Sequence, residues 1–224
     1  MPTVGADFVA CMEDVLELYE KEYDPAHPVV CLDEKSQQLI ANTRPSLPVQ
    51  SGQVCREDHE YLRNGTLNLF VMVEPKGGYR HVIVTERRTD QDYAECLKWL
   101  VDEGYPKAEY IEVVQDNLNT HKAASLYETF APEEARRIMR KLRFHFTPKH
   151  ASWLNMAEIE IGVFEQSCLK QRLADKATLV RQVNALEAER NHRQATINWQ
   201  FTNVVAREKL QRLYPSIDTQ SILV

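Results

Sequence analysis

Four short runs of β-branched and other apolar residues constrain this chain most: Val29–Leu32, Thr66–Glu74, His81–Thr85 and Ile111–Gln115. Each is too short to be a globular helix and dense enough to be a buried strand. The second and third are joined by Pro75-Lys76-Gly77-Gly78, a turn signal, and read as an antiparallel hairpin. Phe144-His145-Phe146 reads as one more short strand.

Helical patterns surround these runs. Phe8, Met12, Val15, Leu16 and Tyr19 recur at the helical period. Thr89-Asp90-Gln91-Asp92 resembles a capping box ahead of Tyr93, Leu97, Leu100 and Val101, and Gly104 and Pro106 stop that helix. Further helices are expected from Ala123, from Pro132 at an N1-like position, from Ser152 to about Leu173, from Lys176 to Arg190 and from Arg207 to Leu213. Residues 36–63 read as irregular. The order, strands first and helices alternating later, predicts a mixed α/β layer structure with helices packed on a central sheet.

At 224 residues the chain has room for one large domain or two small ones. Only 7 of these residues are glycine, which fits a helix-rich fold with few turns. No apolar run approaches the roughly 18 residues needed to span a bilayer. No signal peptide is visible at the N-terminus. The five cysteines (Cys11, Cys31, Cys55, Cys96, Cys168) are scattered, with no pair at zinc-ligand spacing, and read as reduced thiols in a cytoplasm. The net charge is −6 and the isoelectric point about 5.7, whereas nucleic-acid-binding domains often exceed a pI of about 9. Charge alone therefore argues against a nucleic-acid partner.

Two acidic residues end strands, Asp33 after Val29–Leu32 and Asp116 after Ile111–Gln115. In open α/β sheets ligands bind beyond the carboxyl ends of strands, and two carboxylates there can share a divalent cation. A lone Asp after a strand is more often a solvated turn residue. A third carboxylate would come from the helix after Ser152, whose apolar stripe is Leu154, Ala157, Ile161, Phe164 and Cys168. Glu158 and Glu160 fall on opposite edges of that stripe, and periodicity only mildly prefers the more polar Glu158 edge.

These residues sit in three ordered motifs: Cys31-Leu32-Asp33-Glu34-Lys35-Ser36, Gln115-Asp116-Asn117-Leu118-Asn119-Thr120-His121, and His145-Phe146-Thr147-Pro148-Lys149-His150-Ala151-Ser152-Trp153-Leu154-Asn155-Met156-Ala157-Glu158. Together they resemble bacterial insertion-sequence transposases of the mariner-related group. Trp199-Gln200-Phe201-Thr202 and Leu213-Tyr214-Pro215 resemble that group's ending, although Val205 stands where an acidic residue is common.

The resemblance implies a ribonuclease-H-like mixed sheet flanked by helices and an Asp-Asp-Glu triad of Asp33, Asp116 and Glu158. Those carboxylates would hold two Mg²⁺ (or Mn²⁺) ions. It also implies cleavage at transposon ends and strand transfer into target DNA (TA), by a homodimer near the bacterial nucleoid. Asn117, His121, Asn155 and Trp153 become supporting residues. Lys35, Arg87, Arg88, Arg136, Arg137, Arg140, Lys141 and His150 become candidate DNA contacts, and His145 a weaker one. Trp153 could stack on an unpaired base, although a core or helix-start role is the more ordinary reading of such a residue.

The expected layout is an N-terminal helix and linker over residues 1–28, the catalytic domain over 29–215 and a tail over 216–224. The helix-turn-helix region that usually precedes such a domain is not among these residues. Weak, salt-sensitive, nonspecific DNA binding is the expectation. Two alternatives remain open: a nuclease that cuts without joining, and a non-catalytic DNA-binding or assembly module.

Overall fold

The computed structural model describes residues 5–43, 60–116 and 123–215. Helix α1 (Ala6–Glu20) leads into strand β1 (Val29–Asn42). Strands β2 (Tyr61–Glu74) and β3 (Tyr79–Thr85) form the expected hairpin. Helix α2 (Asp90–Trp99) starts on the Thr89 box, in which the Thr89 side chain accepts from Asp92 N and the Asp92 side chain accepts from Thr89 N. Its last turn widens into a π-helical segment, Leu100–Gly104. Strand β4 (Ile111–Gln115), helices α3 (Ala124–Thr129) and α4 (Pro132–Met139) and strand β5 (Leu142–Phe146) follow. The chain then forms α5 (Ala157–Phe164), α6 (Lys176–His192) and α7 (Asn203–Lys209).

The five strands make one sheet in the order β3-β2-β1-β4-β5. β1 pairs antiparallel with β2, and β2 antiparallel with β3. β1, β4 and β5 run parallel. On one face Val30, Leu32, Phe70 and Met72 pack against Tyr93, Leu97, Leu100, Leu126 and Ile138 of α2, its π-helical turn, α3 and α4. On the other, Cys31, Val73 and Val114 meet Met12, Val15 and Leu16 of α1 and Ala157 of α5. Farther along that face, Leu69, Val71 and Val82 meet Ile161, Phe164, Leu179 and Val183 of α5 and α6. Each fully buried aliphatic side chain contributes roughly 1.5–3 kcal/mol, so both helical layers are held mainly by burial. Among the described residues no helix is long and apolar enough to cross a membrane. Cys31, Cys96 and Cys168 are buried free thiols, and Cys55 lies outside the described residues.

Three local expectations need correction. β1 does not stop at Asp33 but continues to Asn42, and β2 begins at Tyr61 rather than Thr66, so residues 36–42 and 61–63 of the stretch read as irregular belong to a two-stranded ladder. Polar residues hide such a strand from an apolar-run reading, because outward of Leu39 it is held by the ladder and by hydrogen bonds from a segment distant in sequence. The helix expected from Ser152 to Leu173 is broken. Ser152–Leu154 is a single 3₁₀ turn, Asn155 is extended, and α5 begins at Ala157 and ends in a π-helical turn at Glu165–Leu169. Tertiary hydrogen bonds from the Asn155 side chain, described below, outcompete local helix propensity there. Finally, the last helix starts at Asn203, capped by the Thr202 side chain, rather than at Arg207.

The β2–β3 turn carries a testable electrostatic feature. Glu74 is buried, with Tyr105 Oη donating to Oε2 at 3.5 Å and no hydrogen-bond partner for Oε1 among the described residues. Burial pushes its carboxyl up to about 7 from 4.5. The folded state thus retains a proton that the unfolded chain has lost between these values, and stability falls as pH rises through that window. A shift of this size corresponds to about 3 kcal/mol. Glu74→Gln is therefore expected to raise the melting temperature by several degrees at pH 8 and hardly at pH 4. Equal effects at both pH values in a thermal melt would refute this account.

Candidate active site

The sheet register brings the first two carboxylates together. Val29, Val30 and Cys31 of β1 pair in parallel with Glu112, Val113 and Val114 of β4. Two residues beyond the Cys31–Val114 pair stand Asp33 and Asp116, at the same level on neighbouring strands. Cys31 and Val114 face the α1/α5 layer, and the two-residue period of a strand puts both aspartates on that face. Adjacent strands lie about 4.8 Å apart, a spacing at which two carboxylates can serve one cation site. Asp33 is buried and Asp116 half-buried.

The third element arrives with Asn155, which is completely buried. Its Nδ2 donates to Leu32 O at 2.9 Å and to Asp33 Oδ2 at 3.2 Å, while its Oδ1 accepts from Ala157 N at 3.2 Å. One side chain therefore ties the Asp33 carboxylate to the first residue of α5. Asp33 Oδ1 accepts from Glu34 N at 2.8 Å, so both oxygens of Asp33 are oriented. Glu158 follows in the first turn of α5 and is exposed.

The two glutamates left open by periodicity have different environments. Glu160 is fully buried. Its Oε1 accepts from Arg80 Nε at 3.1 Å and from Arg190 Nε at 2.7 Å, and its Oε2 from Arg190 Nη2 at 2.8 Å. Arg80, also fully buried, donates further to Gly78 O, Ala195 O and Asn191 Oδ1. Glu160 thus fastens α5 to β3 and α6, and it is consumed by that task. This network was not foreseen. Its signal was Arg80 itself, which shares the two-residue period of Val82 and Val84 and so stands on a strand face that demands an ionic partner.

Among the described residues no three His, Cys, Asp or Glu side chains are gathered closely enough to form a ready-made metal cage. Asp33 and Asp116 stand on one face of the sheet, and Glu158 belongs to α5, whose Ala157 packs on that same face. The donor set itself, carboxylate oxygens, suits a hard divalent cation.

The remaining candidates are dispersed. Lys35 lies two residues past Asp33 and forms an ion pair with Glu165. Arg88, beyond β3, pairs with the buried Glu34 carboxylate at 3.1 Å, and Arg87 beside it is exposed. His150 is exposed and adopts a left-handed backbone (φ 66°) in the loop before Asn155. Trp153 is 47% exposed and rests edge-on against Phe201, with ring centroids 5.5 Å apart. Asn117 and His121 lie outside the described residues.

The basic cluster of α4 lies elsewhere. Lys141 immediately precedes β5, and β5 is parallel to β1 and β4, so Arg140 and Lys141 stand at the end of the sheet opposite the aspartates. Lys141 donates to Pro106 O. Arg137, in the last turn of α4, forms ion pairs with Glu134 and Asp102 at 2.7 and 2.8 Å, while Arg136 is exposed. His145 is held between Asp14 and Glu112 at 2.7 and 2.9 Å, a bridge from α1 to β4.

Comparison with solved structures places this architecture. The chain is similar to the Mos1 transposase paired-end complex with left transposon end, at a TM-score of 0.53 and 15% identity over 85% of this chain and 59% of that one. It is likewise similar to the Mos1 strand transfer complex, at 0.55 and 16% over 84% of this chain and 56% of that one. A third similar structure is the Mos1 mariner paired-end complex with Mn, at 0.53 and 15% over 85% and 59%. At such identities the likeness establishes the fold alone: the five-stranded mixed sheet with flanking helices is ribonuclease-H-like. The chain spans less than two thirds of the Mos1 chains it matches. No curated protein sequence matches it. The family model described as DDE superfamily endonuclease matches residues 28–180, which include Asp33, Asp116 and Glu158, and the chain belongs to that family.

Proposed function

We propose that this chain is the catalytic part of a DNA transposase, cutting at transposon ends and joining the freed 3′-hydroxyl to target DNA. The observation that carries this reading is the placement of Asp33 and Asp116 at one level of two parallel strands, with the α5 helix that bears Glu158 tied to Asp33 through Asn155. Family membership and the likeness to structures that hold transposon ends or a strand-transfer product support it.

Asp33, Asp116 and Glu158 would hold two divalent ions, Mg²⁺ or Mn²⁺. The Mos1 structures include paired-end complexes with each metal. When bound, such ions supply Lewis-acid charge that stabilises the attacking and leaving oxygens of an in-line phosphoryl displacement. The protein's own contribution is orientation. Asn155 and the Glu34 amide hold the two Asp33 oxygens, the sheet sets Asp33 level with Asp116, and the Arg80–Glu160–Arg190 network fastens α5 to β3 and α6. Trp153, half-exposed in the turn just ahead of Asn155, offers a face for an unpaired base at the cut end, a contact worth about 1–3 kcal/mol. The active complex is a homodimer in this reading, one copy for each transposon end.

The test is incubation of the chain with labelled transposon-end duplex in Mg²⁺ or Mn²⁺. Nicked and joined products are expected, and both should vanish with EDTA. Nicking without joining would replace the reading by a nuclease. No reaction together with intact DNA binding would favour a binding module.

A further inference from the structure

β1 and β2 outrun the rest of the sheet. Pairing of β1 with β4 ends at Cys31, and pairing of β2 with β3 ends at Asn68. Beyond Ser36 and Asn68 the two strands continue alone to Asn42 and Tyr61, on the same side of the sheet as the aspartates. The base of this ribbon is packed, since Leu39 and Leu67 are buried. Farther out, every residue from Tyr61 to Thr66 is exposed. An extra residue enters β2 between Arg63 and Thr66, where Gly65 adopts φ +93°. This bulge moves Tyr61 and Arg63 onto the face opposite to the one a regular ladder would give them.

The ribbon is braced. The segment after α5 laces it through Leu173 O, which accepts from Ile40 N at 2.7 Å, Ala174 O, which accepts from Asn64 Nδ2 at 2.9 Å, and Arg172 Nη1, which donates to Asn42 Oδ1 at 2.8 Å. The guanidiniums of Arg63 and Arg172 each stand 5.9 Å from the Tyr61 ring centre, and that ring is 44% exposed. An exposed phenol with two guanidiniums beside it has the chemistry of a phosphate-contacting group, because Arg and Tyr side chains supply many of the hydrogen bonds that proteins make to DNA backbones. A two-stranded ribbon also fits the roughly 12 Å width of the major groove.

Resting on the function proposed above, we infer that the Tyr61–Arg63–Arg172 cluster grips the backbone of duplex DNA at a distance from the cut phosphate. Asn42, the partner of Tyr61, lies nine residues beyond Asp33. At about 3.3 Å per residue that is about 30 Å, or roughly nine base pairs of a helix rising 3.4 Å per pair. The α4 cations, at the opposite end of the sheet, take no part in this contact.

The experiment is anisotropy of a labelled 30-base-pair duplex with the chain in EDTA, across a salt series. Arg63→Ala is the deciding variant, since it removes none of the three lacing bonds. It is expected to weaken binding about tenfold near 0.1 M salt and to reduce the slope of log K against log salt by about one. The double variant Arg63→Ala/Arg172→Ala should reduce that slope by about two, Arg63→Lys should restore it, and Arg140→Ala/Lys141→Ala should leave it unchanged. Wild-type binding with unaltered affinity and slope in every ribbon variant would overturn the inference while leaving the transposase reading intact. No binding by the wild-type chain even at low salt would overturn both. A changed oligomeric state with unchanged DNA binding would give the ribbon to a second copy of the chain and also overturn the inference.

Discussion

Glu158→Gln is expected to abolish Mg²⁺-dependent strand cleavage while leaving the melting temperature unchanged, and Glu160→Gln to do the reverse at the level of the fold. The two residues are one helical turn's neighbours in α5, yet Glu158 is exposed and Glu160 is fully buried between Arg80 and Arg190. A divalent ion contributes several kcal/mol of transition-state charge stabilisation, and every 1.36 kcal/mol is a factor of ten, so losing a carboxylate ligand should slow cleavage by about a thousandfold or more. The amide keeps the size of Glu158 and disturbs no packing. At Glu160 the same change leaves two guanidiniums facing a neutral group inside the protein. Removing one partner of a buried ion pair costs about 3–5 kcal/mol, and the melting temperature should fall by roughly ten degrees or more. Paired measurements of thermal melting and single-turnover cleavage on both variants decide the matter. If Glu160→Gln proved as stable as wild type and inactive, while Glu158→Gln remained active, the assignment of the third carboxylate would have to move.

Much of this architecture is legible in the residues because it follows from local physics. The Gly-poor helices, the capped start of α2 at Thr89 and the Pro75–Gly78 hairpin turn are all set by near neighbours. The position of Asp33 and Asp116 follows from apolar runs that end at an acid. What stayed hidden depends on partners distant in sequence. Glu160 cannot be told from Glu158 by periodicity, since its fate is decided by Arg80, eighty residues earlier, and Arg190, thirty later. The outer half of β1 places only Leu39 in the core, and β2 and the Arg172–Ala174 segment hold the rest of it as a strand. The α4 cations read as a DNA track in the sequence, and only the parallel register of β5 shows that Arg140 and Lys141 lie at the far end of the sheet. The net charge of −6 is likewise a poor guide, because what matters for DNA is where the cations stand relative to Asp33.

Asn155→Ala is expected to raise the Mg²⁺ and Mn²⁺ concentrations needed for half-maximal cleavage by about 10–100-fold, the usual loss when a group that orients a metal ligand is removed. The reason lies in three bonds from one buried amide. Two of them hold the β1 backbone at Leu32 and the Asp33 carboxylate, and the third starts α5. Without them Asp33 is free to rotate, and the helix carrying Glu158 loses its fixed relation to the sheet. Some loss of stability will accompany this, since each buried group left without a partner costs about 1–3 kcal/mol. Stability alone would lower the amount of active protein without altering its metal dependence. The two effects therefore separate in a Mn²⁺ titration of cleavage below the melting range: a shifted half-saturation point with a recoverable rate at high metal marks orientation, whereas an unshifted curve of lower height would reduce Asn155 to a packing residue. Asn155→Asp sharpens the test. It keeps the acceptor that serves Ala157 but replaces the donor to Asp33 Oδ2 by a second carboxylate oxygen 3.2 Å away or less, where like charges repel. Its affinity for metal should be more sensitive to pH than that of the wild type, because protonation of either carboxyl relieves the repulsion and removes a ligand charge at the same time.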